Sequence, residues 1–212
     1  LECGALSPHS KESKDRNLVS IQKTRVAFQG ARGAFSEEAA LKLLGGDIEL
    51  VPRQTFSALF KSLDEGLADY LLAPVENSIA GVVQPSTDLL HSSSLIILDE
   101  VVIQIEQHLI GCPGARLTDI ETVQSHPVAL AQCKRFIALH PGLKIREADD
   151  TAGSVAEIIA RADPRGAAIA GRRAAEIYSA SIIQEGIQDH PENHTRFVLL
   201  AASADYKTTG LS

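Results

Sequence analysis

Three side chains of different chemistry stand together near the end of the chain. They are the hydroxyl of Thr195, the guanidinium of Arg196 and the ring of Phe197, preceded by Asn193-His194 and followed by the apolar run Val198 to Ala201. On a strand successive side chains take opposite faces, so Thr195 and Phe197 share one face and Arg196 takes the other. A hydroxyl donor beside an aromatic wall suits an unsaturated ring substrate, although the same triplet fits an ordinary strand start with a salt-bridging arginine. Upstream, Glu76-Asn77-Ser78 follows the apolar run Tyr70 to Val75, and open α/β sheets bind ligands at the carboxyl ends of such strands. Asn77 and Ser78 offer neutral donors and acceptors. Glu76 is an anion that, beside an anionic substrate, must be protonated, paired with a cation or turned away. Gly81 permits a turn or a close backbone approach.

Two helix starts add to this set. Pro127 is a good first-turn residue, so Ser125 or His126 caps the helix after it, and Gln132 lies within two turns of that end. Thr151 and Ala152, after Asp150, open a second helix. Amino ends of helices attract carboxylates. The candidates are therefore Thr195, Asn77, Ser78 and Glu76 for catalysis. Ser125, Gln132, Thr151, Ala152, Gly81, Arg196 and Phe197 are the candidates for holding substrate, and His126 and His194 are read as structural.

Composition narrows the function classes. A formal net charge of −7 without a basic stripe argues against nucleic acid as a partner. Gly30-x-x-Gly33 lacks the spacing of a dinucleotide fingerprint, and no histidine pair has metal-ligand spacing, so neither cofactor nor metal is expected. Cys3, Cys112 and Cys133 form no C-x-x-C pair and read as reduced thiols. No apolar run is long enough for a membrane span, and the charged first twenty residues are unlike a signal peptide, which together point to a cytoplasmic setting.

The elements that position the candidates alternate. Arg25–Gln29, Ile48–Val51 and Tyr70–Val75 read as strands, separated by a helix that Ser36 caps and that ends near Gly45-Gly46, and by a helix from Thr55 to about Gly66. Leu95–Ile110 reads as one long strand crossing between lobes. Strand Val123–Ser125, helix Pro127–Leu139, strand Lys144–Ala148, helix Thr151–Ala162, strand Ala167–Ala170 and helix Arg173–Tyr178 follow. A strand Thr195–Ala201 returns to the start. This is an α/β chain. Residues 1–23 and 203–212 read as tails.

Five segments, in order, resemble the prephenate dehydratase family: Gly30-Ala31-Arg32-Gly33-Ala34-Phe35-Ser36, Pro74 to Gly81, Ser125 to Cys133, Asp150-Thr151-Ala152, and Asn193-x-Thr195-Arg196-Phe197. The departures are Ala31-Arg32, Val128 and Gly153-Ser154. The resemblance implies a two-lobed, periplasmic-binding-protein-like fold with the active site in the cleft. Lobe 1 would span about 24–100 plus 186–202, and lobe 2 about 101–185. It implies a cofactor-independent decarboxylating dehydration of prephenate to phenylpyruvate, with Thr195 as hydrogen-bond donor to the departing hydroxyl, in a homodimer or homotetramer. Arogenate dehydratase is the rival enzyme, and a non-catalytic module binding an aromatic acid is the rival from another class. Many family members carry an ACT regulatory domain after the Thr-Arg-Phe strand. Ser203–Ser212 is too short to form one, so phenylalanine is expected to act at most as a competitor in the cleft.

Overall fold

The computed structural model describes residues 23–202. The two expected tails lie outside the described residues, apart from Lys23, which pairs with Asp47 at 2.9 Å. In chain order the elements begin β1 (Thr24–Gln29), α1 (Phe35–Leu44), β2 (Ile48–Arg53), α2 (Phe56–Asp64), β3 (Tyr70–Asn77), β4 (Gly81–Val82), α3 (Gln84–Ser92) and β5 (Leu95–Gln104). They continue β6 (His108–Gly111), a 3-10 turn Leu117–Asp119, β7 (Thr122–Ser125), α4 (Pro127–Ala131), α5 (Lys134–Leu139) and β8 (Lys144–Glu147). The last are α6 (Thr151–Arg161), β9 (Gly166–Ala170), α7 (Arg172–Ile177), β10 (Ser181–Gln184) and β11 (His194–Ala202).

Two sheets result, ordered β2-β1-β3-β11-β5, with β4 on β3, and β10-β6-β9-β7-β8. Strands β1, β2 and β3 run parallel, whereas β11 is antiparallel to β3 and β5. The architecture is two-lobed α/β, and no helix among the described residues is long and apolar enough to cross a membrane.

Burial on both faces explains why β1 and β3 read as continuous apolar runs. Val26 and Leu72 pack under α1 with Phe197 and Leu199, while Ala27, Leu71 and Ala73 pack under α2 with Val198 and Leu200. In the second lobe Ala167 and Ile169 face α4 and α5, and Ala168 and Ala170 face α6 and α7. Phe28 and Ala34 of the first lobe join that last cluster, so the lobes share apolar contact.

Four expectations are corrected. The strand expected over Leu95–Ile110 is two strands, β5 in the first sheet and β6 in the second, because β11 pairs with β5 through Gln104. The crossing therefore falls at 105–107, later than the boundary expected at 101. The helix expected over Pro127–Leu139 breaks at Gln132-Cys133. The Asp189 carboxylate takes the N–H groups of Lys134 and Arg135 there, and the Asp189 N–H bonds Gln132 O at 2.7 Å. Ser36 is not a cap: α1 starts at Phe35 after Ala34, and Ser36 is buried inside it. Elements β4, α3 and β10 were not anticipated.

Candidate functional site

Thr195 and Asn77 face each other across the β3–β11 ladder. Past the end of β3 the chain turns, and Asn77 Oδ1 accepts the backbone N–H groups of Ile79 at 3.0 Å and Ala80 at 2.8 Å. Those two donors fix which end of the amide is oxygen. Nδ2 therefore donates, its two hydrogens serving three acceptors: Thr195 Oγ1 at 2.8 Å, Asn193 Oδ1 at 2.7 Å and, by sharing, His194 O at 3.1 Å. Since Thr195 Oγ1 is an acceptor in this contact, its own hydrogen is left for another partner. Thr195 and Asn77 both line a cleft of ≈ 560 Å³, a size suited to a small-molecule ligand.

Both lobes contribute to that cleft. Phe197 and Gly81 join Asn77 and Thr195 from the first lobe, and Gln132 and Thr151 come from the second. Gly81 has φ +81° and open space where a side chain would stand, so it serves the turn rather than a close approach.

Five candidates lie elsewhere. Glu76 and Arg196 occupy the opposite, solvent face of the ladder, where Arg196 lies 3.6 Å from Glu76 and 3.1 Å from Glu100. Alternation along β3 and β11 dictates this: once Asn77 and Thr195 face the cleft, their neighbours cannot. Ser78 ties the turn to the segment before β11, donating to Glu192 O and accepting from His194 N–H. Ser125 is fully buried, and its hydroxyl donates to Ile169 O at 2.6 Å. Ala152, in the first turn of α6, is fully buried.

The helix amino ends are occupied from within. Asp150 Oδ1 takes the N–H groups of Ala152 and Gly153, and His126 Nδ1 takes that of Val128. Of the amides expected there for carboxylates, those of Ala152, Gly153 and Val128 are thus already capped. Asp150 Oδ2 also accepts from Ala31 N–H at 2.5 Å, which fastens the turn after β1 to the second lobe. Beside it, the wholly buried Glu37 accepts from Arg32 at 2.6 Å, Gly33 N–H at 3.0 Å and Arg173 of the second lobe at 3.3 Å. Burial alone would push the Glu37 carboxyl up, but these donors together hold it below its ordinary value. Arg32, a departure from the family pattern, is spent on this contact.

Sequence reasoning passed over Ser36, Gln107, His126, Asp149 and Asp150, all of which line the cleft. Gln107 carried a usable signal. It extends the face of Val101, Ile103 and Ile105, and a polar residue continuing a buried face needs a reason to be there.

A two-lobed α/β chain whose cleft is walled by Asn77, Thr195 and Phe197 defines a small-molecule site. The family model for prephenate dehydratase matches residues 26–205, and the chain belongs to that family. Arogenate dehydratase/prephenate dehydratase 2 (chloroplastic) of Arabidopsis thaliana is 37% identical over 194 residues, covering 92% of this chain and 50% of that protein. Among solved structures, the Arthrobacter aurescens prephenate dehydratase in complex with L-Phe has TM-score 0.76 at 29% identity, over 84% of this chain and 60% of that one. GqqA, described as a novel type of quorum quenching acylase, has TM-score 0.75 at 31% identity, over 89% and 66%. The chain spans about half the length of the curated relatives it matches.

Proposed function

We propose that the chain is a prephenate dehydratase, a hydro-lyase that needs no cofactor. The observation carrying this reading is the amide of Asn77, which is locked by Ile79 and Ala80 and donates to Thr195 Oγ1, leaving the threonine hydrogen free to serve a ligand in the cleft. In the reaction the bond from the ring to its carboxylate breaks and its electron pair enters the ring. The carboxylate departs as carbon dioxide, the bond to the ring hydroxyl breaks with it, and the oxygen leaves as hydroxide, which is released to solvent. Thr195 donates a hydrogen bond to that oxygen as charge grows on it, and Phe197 supplies a flat wall for the ring. Such a donor is worth about 10²-fold in rate.

Phenylpyruvate formation from prephenate, followed by absorbance, tests the reading. Thr195→Ala should lower kcat by about 10²-fold with KM within a few-fold, and Thr195→Ser should keep much of the rate. Full turnover in Thr195→Ala would move the role to another group. Asn77→Ala frees the hydroxyl to rotate and should lower kcat by about tenfold, equivalent to one hydrogen bond lost in a desolvated site.

An acyl-transfer reading, raised by the name of GqqA, asks for a base bonded to the nucleophile. Thr195 Oγ1 instead meets an amide N–H, which cannot take its proton.

Arogenate is favoured as a second substrate by one feature of the cleft. Among its described lining residues are Asp149 and Asp150 but no lysine or arginine, a balance that suits a substrate carrying an ammonium group better than a dianion. Competition between the two substrates for kcat/KM decides the order. A homodimer or homotetramer and a cytoplasmic setting belong to the same reading; light scattering and cell fractionation test them.

A further inference from the structure

Two deeply buried side-chain atoms near the crossing between the lobes have no hydrogen-bond partner among the described residues: the acceptor Gln107 Oε1 and the donor Asn193 Nδ2. Gln107 is 2% exposed and Asn193 1%. Buried polar atoms are rarely left unpaired, because nothing replaces the water they lost. These two are of opposite sense, and they sit on the two segments by which the chain leaves the first lobe and returns to it.

Register puts them on one face. Ile105 N–H bonds Asn193 O at 2.7 Å, continuing the β5–β11 ladder in which His194 faces Gln104. Asn193 is therefore opposite Ile105. Burial alternates over Ile105, Glu106 and Gln107, so Gln107 returns to the face of Ile105 and is the diagonal neighbour of Asn193. The orientation of Asn193 is inherited. Asn77 is fixed by Ile79 and Ala80, so Asn193 must turn its oxygen to Asn77 and its nitrogen away.

Each residue is also linked outward. Asn193 reaches Thr195 through Asn77, and Gln107 Nε2 donates to Gln132 Oε1 on the second-lobe wall at 3.4 Å. A row of amides thus runs along the cleft from the Thr195 hydroxyl to Gln132, interrupted once, between the free donor and the free acceptor. The Gln107 backbone is held independently, its N–H by Gln188 Oε1 at 3.1 Å and its carbonyl by Ile187 N–H at 2.9 Å. Its side chain can therefore change partner without unravelling the crossing.

We infer that Gln107 and Asn193 are positioning residues for Thr195: their side chains hydrogen-bond to each other when the lobes close on a ligand, completing the row. Ligand contact at Gln132 in one lobe then steadies the hydroxyl donor in the other. Gln107 and Asn193 touch Thr195 only through other groups, so the role is one of aim. This rests on the dehydratase reading for what Thr195 does, and on the geometry alone for the pairing.

A double-mutant cycle with Gln107→Leu and Asn193→Leu tests it. Three readouts are taken on the full chain: kcat for prephenate, affinity for phenylpyruvate by calorimetry, and Tm of the free protein. Gln107→Leu should lower kcat and phenylpyruvate affinity by about tenfold alone, yet by less than about twofold when Asn193 is already Leu. Its Tm should change little, since the acceptor removed was unpaired in the free protein and the donor removed made only the long 3.4 Å bond to Gln132 Oε1. Equal effects of Gln107→Leu in both backgrounds would overturn the pairing, and so would a lower Tm with kinetics and affinity unchanged. Coupling in phenylpyruvate affinity without any turnover of prephenate would sink the dehydratase reading and leave the pairing standing. Absence of both binding and turnover would sink the two together.

Discussion

The lobes meet at two places built in opposite ways. At the turn after β1, the N–H groups of Gly30, Ala31, Gly33 and Ala34 all have acceptors, and the buried Glu37 gathers Arg32 and Arg173. Packing there leaves no slack: a methyl on Gly33 would stand 2.7 Å from Ala174 Cα, and one on Gly171 would stand 2.8 Å from the Phe35 ring. At the crossing after β5 and the return before β11, by contrast, two buried polar atoms have no partner among the described residues. The satisfied contact has one arrangement to adopt. The unsatisfied one gains by moving, which is where a two-lobed protein can store a choice between open and closed states.

The most damaging way to break that contrast is Gly33→Ala. Gly33 has φ +85°, and the added methyl meets backbone rather than a yielding side chain. Strain and overpacking together should cost about 2 to 4 kcal/mol in a urea melt. A loss below about 1 kcal/mol would mean that the lobes part easily at this turn, and the two contacts would then differ less than their packing suggests.

Glu37→Gln is the next test, and pH sharpens it. The variant should lose about 2 kcal/mol at neutral pH, less than for a wholly buried pair because Arg32 is 45% exposed and water screens it. The folded carboxyl titrates below its ordinary value of 4.5. Its stabilisation is thus fully present above that value and is lost as pH falls through the lower, folded one. Melts of both proteins between pH 7 and pH 3 should converge at the acid end. A gap that stays constant with pH would show that packing, not ionisation, accounts for Glu37.

The sequence made the walls of the cleft legible and left its joints obscure. Strands β1, β3 and β11 could be read because burial on both faces writes continuous apolar runs, and the residues at their ends followed from alternation and the family's segments. What could not be read depends on partners distant in sequence. The break at Gln132-Cys133 is made by Asp189, and the start of α1 by Glu37 reaching back to Gly33. The amino ends of α4 and α6 look open to a ligand from propensity alone, yet part of each is capped by its own neighbour, His126 or Asp150. Ser125 reads as a cap or a ligand group, but the β7–β9 pairing buries it against Ile169.

Arg196 is where one rule of sequence reading corrects another, and it gives the smallest expected effect. Its place in the Thr-Arg-Phe triplet proposes it for substrate, while alternation sends it to the face opposite Thr195. The structure follows alternation, with Arg196 42% exposed between Glu76 and Glu100 on neighbouring strands. Exposed pairs of this kind contribute roughly 0 to 1 kcal/mol and weaken further in salt. Arg196→Ala should therefore lower stability by under about 1 kcal/mol, with a smaller loss at high ionic strength. It should leave kcat and KM within about threefold, because the side chain has no contact in the cleft. Steady-state rates for Arg196→Ala and Glu76→Ala beside Asn77→Ala make the check. A drop of tenfold or more in either outward variant would mean that charge on the solvent face reaches Thr195 through the strand. The cleft face alone would then no longer account for the site.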